Sequence, residues 1–254
     1  AGDAGGALGA ALSLWHKHCK GQRSPRMEQV FLGDAWSQED IESLPKERKI
    51  PYEILSDEAL IERMADALQG TNVVGWFQGR MEFGPRSLGN RSILADPRNA
   101  DNWQKVNLKI KFRESFRPFA PTVLEERAAD YFAIKGDSPF MLFTAEVLPH
   151  RRSEIPAVTH VDGSARLQTL RRTQNPRYYD LLKAFERKTG CPVLINTSFN
   201  VRGQPIVASP QDALETFLGT QMDYLVLGNC VVSKQAMPPS LLTSSQAVSL
   251  GGLD

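Results

Sequence analysis

Apolar residues recur at helical spacing in several stretches of the chain, and at strand spacing or in short unbroken runs elsewhere. A glycine-rich turn that runs into a helix is predicted over residues 1–19, and further helices are predicted at residues 56–69, 99–110, 125–132, 176–189 and 209–219. Strands are predicted at residues 27–32, 73–77, 122–124, 140–147, 166–170, 192–197, 223–227 and 230–233. Because strands alternate with helices, the pattern predicts an α/β fold.

Several predicted helix ends carry residue types that satisfy unpaired backbone groups. Ser37 followed by Asp40 resembles a capping box, and Ser56 precedes two acidic residues in a first turn. Gly190 directly follows a predicted helix, where a left-handed residue is common. Residues 21–26 are polar and interrupt the helical pattern, so they are the best candidate for a linker.

Arginines are concentrated among glycines and prolines in residues 79–98, directly after a predicted strand. These arginines are Arg80, Arg86, Arg91 and Arg98. We interpret the stretch as a turn that binds phosphate or carboxylate, since guanidinium groups donate hydrogen bonds in pairs and make poor core material. Arg86 is the strongest candidate, because Gly84 and Pro85 fix its direction, and the other arginines support the turn. The alternative is a set of surface ion pairs with Glu82, Asp96 and Asp101.

Basic residues alternate with phenylalanines in residues 109–121, KIKFRESFRPFAP. We expect the phenylalanines to face the core, and Lys111 and Arg117 to turn toward a shared anionic ligand. The alternative is a surface on which nucleic-acid bases stack against the aromatic rings. Pro118 and Pro121 fix a turn and argue against such a surface.

Two further stretches carry polar side chains next to predicted strands. Arg166 is expected on the strand face opposite Leu167, and His160 is expected to be a structural histidine with satisfied hydrogen bonds. Residues 195–200, INTSFN, end a buried strand, where α/β proteins bind ligands. Their neutral side chains are expected either to bond a nucleotide or only to cap the turn; they are Asn196, Thr197, Ser198 and Asn200.

The start of the chain is rich in glycine and leads into the first predicted helix. Such a helix start can bind phosphate, and Asp3 is either a metal ligand or a helix cap. The sequence contains no P-loop, GxGxxG, HExxH or zinc-spaced CxxC motif.

Composition places the chain among ordinary globular proteins. Of its 254 residues, 41% are hydrophobic and 23% are charged, and the net charge is +1. A charge this small gives no overall attraction to nucleic acid or an anionic membrane. The cations are nevertheless concentrated, because residues 80–117 hold nine Lys and Arg against four Asp and Glu.

The cysteine pattern and the hydropathy favour a cytoplasmic location. The three cysteines are too scattered for a disulfide framework, so we expect reduced thiols. No apolar run approaches the roughly 20 residues of a membrane span. The chain does not begin with Met, and we expect it to lack the N-terminal part of a longer protein.

The ordered motifs resemble those of a known enzyme family. They are GDAGGALGAAL, GRMEFGPRSLGNRSILADPR, KFRESFRPFAP, THVDGSARLQT, PVLINTSFN, PIVASPQDALETF and DYLVLG. Together they resemble the C-terminal part of the carbamoyltransferase family, which includes antibiotic O-carbamoyltransferases and a nodulation-factor carbamoyltransferase.

This resemblance implies two domains. Residues 1–20 would be the last part of an actin-like (ASKHA) carbamoyl-transfer domain that lies upstream. Residues 26–235 would form a YrdC-like domain, a twisted mixed α/β sheet flanked by helices with a basic nucleotide site. Residues 236–254 are expected to be a disordered tail.

The resemblance also implies ATP-dependent O-carbamoyl transfer. The YrdC-like domain would use carbamoyl phosphate and ATP to form carbamoyl-adenylate, with release of pyrophosphate. The actin-like domain would then transfer the carbamoyl group to a small-molecule hydroxyl, as in antibiotic biosynthesis. Mg²⁺ is expected with ATP because of the charge of its phosphates.

Matching motifs assign roles to individual residues. The carbamoyl phosphate and adenylate phosphates would be held by Arg86, Lys111, Arg117 and Arg166. Ser198 and Asn200 would bond the phosphate or the carbamoyl group. Asp3 matches an acidic ligand of a metal, with iron as one candidate, whose histidine ligands are expected upstream.

Two other functions stay open at this point. A threonylcarbamoyl-adenylate synthase would share the fold, but the attached GDAGGALGAAL segment argues against it. An RNA-binding YrdC-like module would use residues 109–121, but the near-zero net charge argues against it. The sequence does not identify the hydroxyl acceptor.

Overall fold

The computed structural model describes residues 2, 5–23, 27–111, 119–238 and 241. Its helices are α1 (Gly5–Lys17), α2 (Gln38–Glu47), α3 (Asp57–Gln69), α4 (Ala100–Val106), α5 (Ala128–Tyr131), α6 (Pro176–Thr189) and α7 (Pro210–Leu218). Its strands are β1 (Glu53–Ile54), β2 (Val74–Phe77), β3 (Arg91–Ala95), β4 (Ala120–Leu124), β5 (Phe132–Ala133), β6 (Thr144–Val147), β7 (Ser164–Arg166), β8 (Gln168–Leu170), β9 (Val193–Ser198), β10 (Tyr224–Leu227) and β11 (Cys230–Ser233).

An eight-stranded mixed sheet forms the centre of the molecule, in the order β1-β11-β10-β2-β3-β9-β4-β8. The pairs β2–β10 and β4–β8 are parallel, and the other neighbours are antiparallel. A second sheet contains β5, β6 and β7, all antiparallel. The α/β fold with a mixed sheet flanked by helices is therefore confirmed.

The main core lies between the large sheet and its helices. Strands β2, β3 and β4 are buried along their whole length, as expected for strands in the middle of a covered sheet. Helices α3 and α6 pack against each other and against the sheet, with apolar side chains such as Leu60 and Phe185 fully buried. Helix α7 packs against β2 and β10. This rigid sheet positions the strand ends described below.

The predicted helix caps are present. The Ser37 hydroxyl accepts a hydrogen bond from the Asp40 amide at 3.1 Å, and the Asp40 carboxylate accepts one from the Ser37 amide. Ser56 accepts from the amide of Ala59 at 3.3 Å at the start of α3. Gly190 ends α6 with φ of 75°, a conformation that favours glycine. These caps depend on neighbouring residues, which is why the sequence predicts them.

Two predicted strands are wrong. Residues 27–32 form no regular strand, because their backbone bonds irregularly to the loop after β2, as where the Phe83 amide donates to the Val30 carbonyl. Residues 166–170 are not one strand. The chain changes sheets at Leu167, so that β7 joins the small sheet and β8 joins the large one. The predicted strand 140–147 is shortened to β6.

Residues 91–95 correct the interpretation of residues 79–98 as one turn. They form β3, which lies between β2 and β9 in the middle of the large sheet. An arginine at the first position and a serine at the second hide the apolar pattern of a central strand.

The terminal assignments stay predictions. Helix α1 buries none of its side chains, and the structure does not test whether it belongs to a separate domain. Most of the tail at residues 236–254 lies outside the described residues, although Lys234–Ala236 forms a 3-10 turn. Among the described residues, no helix has the length and apolar character needed to cross a membrane.

Candidate anion-binding site

A small cavity of about 100 Å³ lies where β9, the loop between β2 and β3, and the end of β7 meet. Its lining residues are Pro85, Arg86, Ser87, Phe119, Ala120, Met141, Arg166, Asn196, Thr197 and Ser198. Cavities for drug-sized ligands are roughly 300–1,000 Å³. This cavity therefore suits a small anion, and a whole nucleotide would have to extend beyond it.

Two arginines from distant parts of the chain converge on the cavity. Arg86 is exposed, and its hydrogen bond is a long one to the Pro85 carbonyl at 3.4 Å. Arg166 is half-buried, and its Nε has no hydrogen-bond partner within the described residues. Burial, together with the positive charge of Arg86, lowers the pKa of Arg166. No ion pair of either arginine occurs in the described parts of the chain.

Cations that lie near each other without a carboxylate repel one another, and an anion between them would remove that repulsion. The cavity lining contains no aspartate or glutamate among the described residues. Burying a charged nitrogen without a partner also costs free energy unless a ligand supplies an acceptor. The geometry therefore favours the binding of phosphate or a similar anion.

Strand β9 brings Ser198 to the same cavity. The strand runs through the core from Val193 to Ile195 and then becomes polar over its last three residues. Because side chains alternate along a strand, Asn196 and Ser198 lie on one face and Thr197 lies on the other. The end of this buried strand thus presents neutral polar groups beside the two arginines.

Lys111 lies behind this strand end. It is only 4% exposed, and its Nζ donates to the Ser198 carbonyl at 2.6 Å and to the Asn200 carbonyl at 3.0 Å. The Ser198 hydroxyl at 3.1 Å and the Asn200 Oδ1 at 2.5 Å also accept from it. Lys111 therefore fixes the loop that follows β9. Neither Lys111 nor Asn200 is among the described lining residues.

The sequence-predicted site residues are thus partly brought together. Arg86, Arg166 and Ser198 line the cavity. Lys111 and Asn200 are not among its described lining residues; they hydrogen-bond to each other next to Ser198. Arg117 and Asp3 lie outside the described residues. The individual ligand roles of all these residues stay predictions.

The other arginines of residues 79–98 bind the protein itself. Arg80 donates to the carbonyls of Leu32 and Gly33, both at 3.0 Å, and Arg98 pairs with Asp96 at 2.7 Å. The expectation that they support the turn agrees with these contacts.

Arg91 shows that an arginine can be core material here, contrary to expectation. It is 0% exposed and donates to carbonyl oxygens of Gln78, Asn90, Asp34 and Gly79. Its guanidinium also stacks on Phe77, 3.6 Å from the ring centroid. Burial lowers the pKa of Arg91 to about 10, although Glu82 and Asp34 oppose that effect.

Ser87, which was not a predicted site residue, lies in the cavity wall, and the structural role expected for His160 stays a prediction. The Ser87 hydroxyl is buried in the cavity wall without a described partner. His160 Nδ1 lies 3.4 Å from the Ser164 hydroxyl, and its buried Nε2 has no partner among the described residues. Burial lowers the pKa of His160; the negative charge of Asp162 opposes this effect, and the positive charge of Arg166 adds to it to a smaller extent.

The described residues do not offer a metal site of their own. No group of three or more His, Cys, Asp or Glu side chains among them could hold a metal ion.

The fold and the site together define a class. The structure is similar to a double mutant of P. abyssi Sua5, with a TM-score of 0.50 and 12% sequence identity over 69% of this chain and 50% of that one. At this identity the similarity concerns the fold alone, and it confirms the YrdC-like architecture. The molecule is therefore a YrdC-like α/β protein with a small cationic cavity.

The sequence comparison defines the family more narrowly. The profile of the Carbamoyltransferase C-terminus family matches residues 65–234, and the chain belongs to that family. An uncharacterized Synechocystis protein, sll1178, is 51% identical over 94% of this chain and 43% of its own length. Nodulation protein NolNO of Sinorhizobium fredii is 45% identical over 93% of this chain and 35% of its own length. The chain thus spans less than half of these relatives.

Proposed function

We propose that this chain is the carbamoyl-activating part of an ATP-dependent O-carbamoyltransferase. The observation that carries the proposal is the convergence of Arg86, Arg166 and Ser198 on one small cavity, whose described lining residues include no acidic one. Membership of the carbamoyltransferase family supports the identity of the anion as carbamoyl phosphate.

Binding of carbamoyl phosphate follows from charge and size. Its phosphate would lie between the guanidinium groups of Arg86 and Arg166, which lack other ion-pair partners in the described structure. Ser198, held through its backbone by Lys111, donates its hydroxyl to Asn200 Oδ1 at 2.7 Å and would turn that hydroxyl to the same ligand on binding. Arg117 is proposed as a further cation on the basis of its motif. ATP would extend from the mouth of the cavity.

The proposed chemistry consists of two bond exchanges. Water cleaves carbamoyl phosphate to carbamate and inorganic phosphate, and a carbamate oxygen then attacks the α-phosphorus of ATP. The bond from that phosphorus to the β-phosphate bridging oxygen breaks, so carbamoyl-adenylate and pyrophosphate result. The protein needs to supply no covalent group. Positioning and neutralisation of the two anions lower the barrier.

Transfer to the final hydroxyl is proposed for the complete enzyme. An actin-like domain, with Asp3 among its metal ligands, would carry the carbamoyl group from the adenylate to a small-molecule acceptor in a biosynthetic pathway.

The proposal is tested by incubating the chain with ATP, Mg²⁺ and carbamoyl phosphate. Pyrophosphate and AMP are expected to appear only when carbamoyl phosphate is present. A folded protein that releases no pyrophosphate, or releases it equally without carbamoyl phosphate, would contradict the proposed activity of this chain.

A further inference from the structure

Asn196 is a buried amide in the wall of the anion cavity, and its own contacts are unusual. The side chain belongs to a residue that is only 1% exposed. Its Nδ2 donates to Thr122 Oγ1 at 3.1 Å and to Gln168 Oε1 at 2.9 Å. Its Oδ1 is buried without a hydrogen-bond partner among the described residues. The amide nitrogen of Asn196 thus has two hydrogen-bond acceptors, whereas the amide oxygen has no donor among the described residues.

The orientation of this amide follows from a chain of hydrogen bonds. Gln168 Nε2 donates to the Leu88 carbonyl at 3.0 Å, and a carbonyl can only accept. The Oε1 of Gln168 must therefore face Asn196, and it also accepts from the Thr122 hydroxyl at 2.8 Å. Because this Oε1 can only accept, the atom of Asn196 that faces it must be Nδ2. The Oδ1 is therefore held on the opposite edge.

An acceptor is out of place in a site built for an anion. Among the described lining side chains, those of Arg86 and Arg166 only donate, and the hydroxyls both donate and accept. Asn196 is one of the lining residues, and its Oδ1, which has no partner among the described residues, can only accept. It would repel a phosphate oxygen, and it stays unpaired unless the ligand brings a donor. The site thus favours the binding of an anion that carries an N–H or O–H group.

We propose that Asn196 Oδ1 accepts a hydrogen bond from the NH₂ of the carbamoyl group and so selects carbamoyl phosphate over acetyl phosphate. This inference rests on the proposed function and adds a residue that sets its substrate specificity. Acetyl phosphate has a methyl group where carbamoyl phosphate has NH₂, so the two differ little in shape. A site that hydrogen-bonds an NH group rejects the analogue that lacks it, because the buried acceptor is then left unpaired.

Binding of two stable probes separates this role from general anion binding. Phosphonoacetamide carries the NH₂ group, and acetonylphosphonate carries a methyl group in the same place. Calorimetric titration of the wild-type chain is expected to give a Kd for phosphonoacetamide at least about tenfold lower than that for acetonylphosphonate. In Asn196→Leu the ratio of the two Kd values is expected to fall to about one.

Two further variants control the comparison. Ser87→Ala removes another unpartnered polar atom from the same cavity wall and is expected to change both Kd values by the same factor. Gln168→Met leaves Asn196 in place but removes the acceptor that orients it. This variant is expected to lower the ratio while still binding both probes, and it keeps the test decisive if Asn196→Leu does not fold.

The outcomes distinguish this inference from the proposed function. Equal wild-type affinity for the two probes, or an unchanged ratio in both Asn196→Leu and Gln168→Met, overturns the role of Asn196. Pyrophosphate release with carbamoyl phosphate would in that case still support the proposed function. Failure of the wild type to bind either probe overturns the anion site itself, and with it both proposals.

Discussion

At the scale of residues, the cavity is a place where polar groups are left without partners. Arg166 Nε, Ser87 Oγ and Asn196 Oδ1 are all buried, lie on its lining residues and lack hydrogen-bond partners within the described structure. Buried polar groups in proteins are generally paired, so a cluster of exceptions needs a physical explanation. A small ligand that carries both acceptors and a donor satisfies all of them.

Arg166 gives the sharpest single-residue prediction. Arg166→Ala is expected to abolish pyrophosphate release that depends on carbamoyl phosphate, and to weaken anion binding by roughly 10- to 100-fold, since a charge-assisted hydrogen bond contributes about 1.5–3 kcal/mol. The melting temperature should change little, because this arginine has no ion pair among the described residues and is repelled by Arg86. Enzyme assay and thermal unfolding together check this expectation.

Arg172→Ala is the matched control for that variant. Its side chain is 66% exposed and pairs with Asp180 on the surface, so its loss is expected to leave both activity and stability nearly unchanged. A large drop in melting temperature for Arg166→Ala but not for Arg172→Ala would show that Arg166 has a structural role instead.

The residue types of the site could be predicted from sequence, but their partners could not. Arg86, Arg166 and Ser198 were recognised because their motifs are local. The network around Asn196 draws Thr122 and Gln168 from two other strands, and nothing in the local spacing reports that pairing. The burial of Arg91 was not predicted for the same reason, because its partners include Asp34, which is distant in the sequence.

At the scale of elements, the strand ends carry the site and the helices hold them. The segment after α4, a π-helix over Asn107–Lys111, ends with the lysine that binds the loop after β9. Lys111 and Ser198, which this contact joins, are 87 residues apart in the sequence. Lys111 therefore connects an irregular helix end to the strand end that forms the cavity wall.

Replacement of Lys111 tests whether this connection is structural. Lys111→Met is expected to destabilise the chain by about 2–3 kcal/mol, because it leaves two backbone carbonyls at the end of β9 without this donor. Activity should fall as well, since Ser198 is then less well positioned. Urea unfolding and the KM for carbamoyl phosphate are the measurements.

Lys183→Met is the control, since its ammonium forms surface ion pairs with Glu126 and Glu186 and its loss should cost at most about 1 kcal/mol. If Lys111→Met loses activity with no more loss of stability than this control, Lys111 acts directly on the ligand and not through the strand end.

Elements with local signals were predicted, and those set by distant contacts were not. The caps at Ser56 and Gly190 depend on the next few residues, so α3 and α6 were placed correctly. Strand β3 was missed because its first residue is a buried arginine whose partners include Asp34, far along the chain. The strand breaks at Leu167 because the residues before and after it pair with two different sheets. A pattern of alternating residues does not reveal such a change of partner.

At the scale of the whole molecule, the charges are balanced but unevenly placed. The net charge is +1, whereas the cavity lining includes two arginines and no described carboxylate. A local field of this kind favours a small anion and gives little attraction to a long polyanion such as RNA. The family relationship and the site geometry thus support the same proposed chemistry from independent directions.

Direct detection of the carbamoyl-adenylate tests the central claim most closely. The chain is mixed with ATP, Mg²⁺ and ¹³C-labelled carbamoyl phosphate. The reaction is quenched, and its products are separated and identified by mass spectrometry. We predict an adenylate that carries the ¹³C-carbamoyl group in the wild type and in Arg172→Ala, and none in Arg166→Ala. Absence of that adenylate from folded wild-type protein, or an equal yield from Arg166→Ala, would contradict the account.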